Sequence, residues 1–133
     1  MFTQMAGPRN QGEVYTQQQI ETYLSKISFP VTKYKTVTPA TTRTEEGLEY
    51  LSKLQIYHLA SVPFENLSLH YSKERVISLD KDDLYEKIVG LKTGGGGYCM
   101  EQNTFFGVVM RALGYEVFPT GARVMTPGGL TGW

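Results

Sequence analysis

Cys99 is the only cysteine in this chain, and it sits in the run Thr93-Gly94-Gly95-Gly96-Gly97-Tyr98-Cys99-Met100-Glu101-Gln102-Asn103. A thiol reacts as its thiolate, which a helix N-terminus favours through the partial positive charge of its unpaired N–H groups. The residues from Cys99 onward read as the start of such a helix. Glycines before it allow left-handed backbone and close approach to a ligand. Loop, cysteine and helix start together point to an activated nucleophile. The competing reading is a small buried hydrophobe, the usual use of a free cysteine. That reading leaves four entropically costly glycines unexplained.

With Cys99 in the first turn of a helix, Asn103 lies one turn on and shares its face. Glu101, two residues on, points to roughly the opposite side. Glu101 is therefore expected to steady the helix start through the dipole, or to hold the loop from behind, rather than exchange a proton with the thiol. A cysteine nucleophile normally works with a histidine. The chain offers only His58 and His70, both before the cysteine, and each reads more readily as a packed or surface imidazole than as a base. Rival uses of the glycines fail. A phosphate loop ends in Gly-Lys-Ser/Thr, and no lysine follows Gly97; a dinucleotide fingerprint needs a preceding strand, where Leu84 to Leu91 reads as a helix. One cysteine also excludes an internal disulfide framework and a multi-cysteine zinc site, so no metal is expected.

The elements that must position this thiol are mostly helical. Thr16 and Gln19 have capping-box spacing, and Ile20, Tyr23, Leu24 and Ile27 fall on one face of a helix that Phe29-Pro30 should end. Val31 to Thr42 reads as a loop. Thr44, Glu45 and Glu46 open a second helix with Leu48, Leu51, Leu54 or Gln55, and His58 or Leu59 as its apolar positions, broken at Val62-Pro63. Phe64 to Tyr71 reads as turns or a small strand. Asp80 with Asp83 can cap a third helix carrying Leu84, Ile88 and Leu91. A fourth runs from Cys99 to Leu113, stopped by Gly114. Tyr115 to Met125 is rich in strand formers and reads as one strand, followed by a turn through Pro127, Gly128 and Gly129. The expected class is α+β: a flexible tail over 1–14, a helical domain over 15–113, and the start of a β domain over 114–133. An unpaired strand of that length would be an aggregation edge, so self-association through it is expected.

Composition narrows the partners. The chain has 133 residues, 41% of them apolar, and balances 13 basic against 13 acidic side chains. One domain with a core of useful size is expected, and no charge excess points to nucleic acid or an anionic membrane. Met1 to Val14 lacks the apolar core of a secretory signal, and no apolar run is long enough to span a bilayer. A lone thiol suits a reducing compartment. The expected localisation is cytoplasmic.

Gly96-Gly97-Tyr98-Cys99-Met100-Glu101-Gln102-Asn103 resembles the Arg-Gly-Gly-x-Cys-x-Glu-x-Asn signature of arylamine N-acetyltransferases. Val62-Pro63-Phe64-Glu65-Asn66-Leu67 resembles that family's second characteristic segment, at the right distance before the cysteine. Leu79 to Val89 and Ala122-Arg123-Val124 are similar to family counterparts, and Tyr-Cys-Met-Glu is closest in wording to fungal members. The resemblance implies a fold related to papain-like and transglutaminase-like cysteine enzymes: a helical bundle, a β-barrel and an α/β lid. It implies that Cys99 takes an acyl group from acetyl-CoA or another short acyl-CoA and passes it to an arylamine, hydrazine or hydroxylamine in a ping-pong cycle, with no bound cofactor. Phe64 and Tyr98 would line the amine site, and Glu65, Gly96, Gly97, Glu101 and Asn103 would support it.

Two departures from the family pattern stand out. The signature's arginine, which in the family pairs with the glutamate matching Glu65, is replaced by Gly95; Lys92 or Arg75 could take its place. The family's triad histidine and aspartate follow the cysteine, and no histidine follows Cys99. The expectation is an acyltransferase truncated before those partners. The alternatives are a catalytically inactive fragment of one, or a different cysteine acyltransferase or hydrolase using His58 or His70.

Overall fold

The computed structural model describes residues 14–90 and 95–130. Leu91, Lys92, Gly94, most of the expected 1–14 tail and the end of the last turn lie outside the described residues. Among the described residues, five α-helices, one π-helical turn and a two-stranded sheet make an α+β chain. Helix α1 spans Gln17–Lys26, α2 Glu45–Ser61, α3 Leu67–Tyr71, α4 Lys81–Tyr85 and α5 Cys99–Ala112; β1 is Met125–Thr126 and β2 Gly129–Leu130.

Local signals start the helices where the sequence places them. The Thr16 hydroxyl accepts from the Gln19 amide at 3.2 Å, and Gln19 Oε1 accepts from the Thr16 amide at 2.9 Å. Thr44 caps α2 by accepting from the Gly47 amide. Asp80 caps α4 through the amides of Asp82 and Asp83. Helix α4 then continues into a π-helical turn, Glu86–Gly90, whose Val89 carbonyl accepts from Lys26 Nζ at 3.1 Å.

The core gathers one stripe from each long element. Ile20, Tyr23, Leu24 and Ile27 meet Leu54 of α2, Leu84, Ile88 and Val89 of the α4 segment, and Phe105, Val108 and Val109 of α5. Phe105 is fully buried, with ring centroids 5.5 Å from Tyr15, 5.2 Å from Tyr23 and 5.9 Å from His58. A second aromatic group, Phe29 with Tyr34, Tyr50 and Tyr57, seats the loop after α1 on α2.

Several expectations are corrected. Helix α1 ends at Lys26, before Phe29-Pro30. The Ser28 amide donates to the Ser25 carbonyl and the Phe29 amide to the Leu24 carbonyl, the Schellman closure, with Ser28 at φ +56°. The buried face of α2 is Gly47, Tyr50, Leu54 and His58, whereas Leu48 and Leu59 are exposed. Helical periodicity fits both adjacent stripes, and the aromatic pocket around Tyr50 decides between them. Phe64 to Tyr71 holds a single bridge residue and then α3 rather than a strand.

The expected strand from Tyr115 to Met125 does not form. Residues 115–124 carry no regular structure; Tyr115 is buried in the helical core and Val117 packs against it. The Tyr115 hydroxyl donates to the Gly47 carbonyl at 2.5 Å. Anchoring to the helices competes with strand pairing, and among the described residues a hairpin of two residues a side remains, with Met125 opposite Leu130 and Thr126 opposite Gly129. The long unpaired edge behind the expected self-association is therefore absent from the described residues.

Candidate active site

Cys99 is the first residue of α5, and it is exposed. Asn103, one turn along, is exposed too. Three contacts hold the backbone in front of the thiol.

The first is a close backbone approach. Gly97 pairs with Phe64 in an isolated parallel bridge: the Gly97 amide donates to the Pro63 carbonyl at 3.2 Å and the Glu65 amide to the Gly97 carbonyl at 3.0 Å. A Cβ on Gly96 would stand 1.9 Å from the Pro63 carbonyl oxygen, and one on Gly97 would stand 2.8 Å from Glu101 Cβ. Gly96 is thus demanded by the Pro63 backbone, and Gly97 by the Glu101 side chain folded back against it.

The second contact is Glu101, 1% exposed. Its Oε2 accepts from the Tyr98 amide at 3.0 Å, and its Oε1 accepts from Lys87 Nζ at 2.6 Å. Through the Tyr98 amide it is tied to the residue that precedes the helix. Lys87 also pairs with Glu65 Oε1 at 3.3 Å, while Glu65 Oε2 accepts from the Leu67 amide. Of the two cations expected to replace the signature arginine, Lys92 lies outside the described residues and Arg75 is exposed at φ +51°; among the described residues Lys87 supplies a cation to Glu65. Burial alone would lower the Lys87 pKa. The hydrogen bond and charge of Glu101, with those of Glu65, outweigh it and hold the ammonium above its ordinary range.

The third is a buried relay behind the loop. Gln102 Nε2 donates to the Pro63 and Gly97 carbonyls, each at 3.0 Å. Its Oε1 therefore faces His58 Nε2 at 3.1 Å, and His58 Nδ1 lies 2.8 Å from the Tyr23 hydroxyl. An amide oxygen only accepts, so the proton sits on His58 Nε2, and Tyr23 donates to Nδ1. Burial holds the His58 pKa below its usual range, and the Gln102 hydrogen bond only partly opposes it. Both ring nitrogens are committed, so His58 is a neutral structural imidazole rather than the base of the alternative reading. His70 lies exposed on α3 against Tyr71. Neither histidine is hydrogen-bonded to Cys99 among the described residues.

Phe64 is exposed and Tyr98 half-buried, its hydroxyl 3.2 Å from Met100 Sδ. A notch of about 290 Å³ opens between the end of α2 and this segment, lined by Leu59, Val62, Pro63, Phe64 and Gln102; Cys99 is not in its wall. The described residues hold no cluster of three or more metal-ligating side chains, and no described helix is long and apolar enough to cross a membrane. The sequence reading missed Lys87, Gln102 and Tyr23. Only the burial of a glutamate and a glutamine beside the thiol could have flagged the first two, and burial is not visible in a sequence.

The N-acetyltransferase family profile matches residues 47–131, which takes in both Val62 to Leu67 and the cysteine loop. This chain belongs to the arylamine N-acetyltransferase family. It is 45% identical over 115 residues to an N-malonyltransferase of Fusarium pseudograminearum, covering 83% of this chain and 33% of that protein. It is 42% identical over 82 residues to a pineal-gland arylamine N-acetyltransferase of Gallus gallus, covering 62% and 27%. It is 38% identical over 79 residues to the arylamine N-acetyltransferase of Escherichia coli, covering 59% and 27%. The chain spans about a third of the length of the curated relatives it matches.

Proposed function

We propose that this chain carries the nucleophile of an acyl-CoA-dependent N-acyltransferase acting on arylamines or hydrazines. The observation that carries the reading is the single exposed thiol at the first position of α5, behind a loop pinned by Gly96, Gly97 and Glu101. Cys99 sulfur attacks the thioester carbonyl, a new C–S bond forms, and the CoA thiolate leaves with a proton. The amine nitrogen then attacks the acyl-cysteine, loses a proton and releases the thiol. Phe64 and Tyr98 flank the cysteine loop and supply aromatic surface for a flat amine. Asn103 presents an amide on the thiol's own face of α5. His58 is committed to Tyr23 and Gln102, and His70 is not hydrogen-bonded to Cys99 among the described residues, so neither histidine is assigned as the proton acceptor. The fungal relatives named as N-malonyltransferases match 83% of this chain, which makes malonyl-CoA a donor of equal standing with acetyl-CoA. A soluble, cytoplasmic setting fits a free thiol and CoA thioesters.

Intact-mass analysis of the purified chain after incubation with acetyl-CoA or malonyl-CoA tests this. One acyl group per chain, lost in Cys99→Ser, is expected. Turnover of p-anisidine or hydrazine should stay slow, since neither histidine is hydrogen-bonded to Cys99. No adduct from either donor, or an adduct that persists in Cys99→Ser, would sink the proposal.

A further inference from the structure

Two acidic side chains converge on one ammonium directly beneath the cysteine loop. Glu65 belongs to the segment that pairs with the loop, Glu101 to the helix that Cys99 opens, and Lys87 to neither. Lys87 comes from the π-helical turn after α4, a widened turn of the kind often found beside functional sites. All three side chains are largely withdrawn from solvent, with 21%, 18% and 2% of the Lys87, Glu65 and Glu101 side chains exposed.

We propose that Lys87 is a positioning residue for Cys99: its ammonium ties Glu65 to Glu101, and so sets the distance between the Pro63–Glu65 segment and the N-terminus of α5. Without that cation two carboxylates face each other in a poorly solvated space. Like charges there repel, and a buried carboxylate escapes by protonating or by turning outward. At Glu101 the first weakens the bond that the Tyr98 amide donates to Oε2 and the second breaks it, which loosens the residue immediately before the thiol. It also loosens the reciprocal bonds between Gly97 and Pro63 and between Glu65 and Gly97. The mechanism acts through the backbone, so Lys87 influences the thiol without touching substrate. The proposal rests on Cys99 being the reacting group, as read above, and not on which acyl donor it meets.

Alkylation by iodoacetamide reads the thiol without any acyl donor, and the chain has one cysteine to report. At pH 7, well below the melting transition, Lys87→Met should lower the alkylation rate roughly threefold or more. Lys87→Arg, which keeps the charge, should restore most of it. Amide hydrogen exchange at Gly97 and Glu65 should speed up in Lys87→Met. A rate and an exchange pattern unchanged from the parent chain, with only a lower melting temperature, would overturn the proposal. Should Lys87→Met fail to fold, Glu65→Gln keeps the Lys87–Glu101 pair and cuts only the link between segments. Faster exchange at Gly97 is then expected, and unchanged exchange would refute the role. Failure of the acyl-adduct experiment would remove the proposed function while leaving these results standing.

Discussion

At the scale of single residues, the glycines before the thiol do different work from what their number alone implies. The described positive-φ glycines are Gly114 and Gly129, both far along the chain from Gly96. Gly96 is required because the Pro63 carbonyl oxygen fills the place its side chain would occupy. We predict that Gly96→Ala destabilises the chain by about 1–3 kcal/mol, the usual cost of forcing extra volume against fixed backbone, and slows alkylation of Cys99. Gly128→Ala, whose added carbon would meet nothing closer than 3.9 Å, should leave both unchanged. Equal melting shifts for the two variants would refute the steric account. The Cys99 signature and the segment through Glu65 were legible in the sequence because motif spacing is a linear property. Lys87 was not, because nothing in a linear pattern announces that a side chain from a third segment will neutralise two acids.

At the scale of elements, helix beginnings were easier to read than helix ends. Thr16, Thr44 and Asp80 are caps whose partners lie two or three residues away, so the whole interaction is written locally. The end of α5 is also legible. Gly114 takes φ +95°, its amide bonds to the Arg111 carbonyl, and the Tyr115 amide bonds to Met110. The end of α1 makes the same closure with Ser28, a residue for which left-handed backbone costs about 1–2 kcal/mol. Sequence reading looked past it to Pro30. Ser28→Gly should therefore raise stability by about 1 kcal/mol, read as a higher midpoint in urea unfolding at unchanged slope. A lower midpoint would show that the exposed Ser28 side chain contributes more than the backbone strain costs. The lost strand is the counter-case. Val117, Phe118 and Val124 have strand propensity, yet Tyr115 anchors to Gly47 and removes the start of the segment from any ladder.

At the scale of the whole molecule, the relay Tyr23–His58–Gln102 joins α1, α2 and α5 to the cysteine loop, and it titrates. Its histidine is held below the ordinary range by burial. The unfolded chain therefore takes up a proton first as pH falls. The relay's stabilisation is complete above about pH 6.5 and is lost as pH drops toward the folded-state value. Stability measured by urea unfolding should decline between pH 7.5 and 5.5. His58→Gln should flatten that decline while costing about 1–3 kcal/mol at pH 7.5 through the partners it leaves unpaired. An undiminished slope in His58→Gln would assign the decline to another group.

The sequence alone determined the two motifs around Cys99, the starts of α1, α2, α4 and α5, and the family, because each rests on residues close together in the chain or at set spacings. Tertiary structure decided which stripe of α2 is buried, whether 115–124 becomes a strand, which cation meets Glu65 and what His58 is for. Those outcomes depend on which surfaces compete for the same space and which charges burial brings together. Neither quantity is defined until the chain has closed on itself.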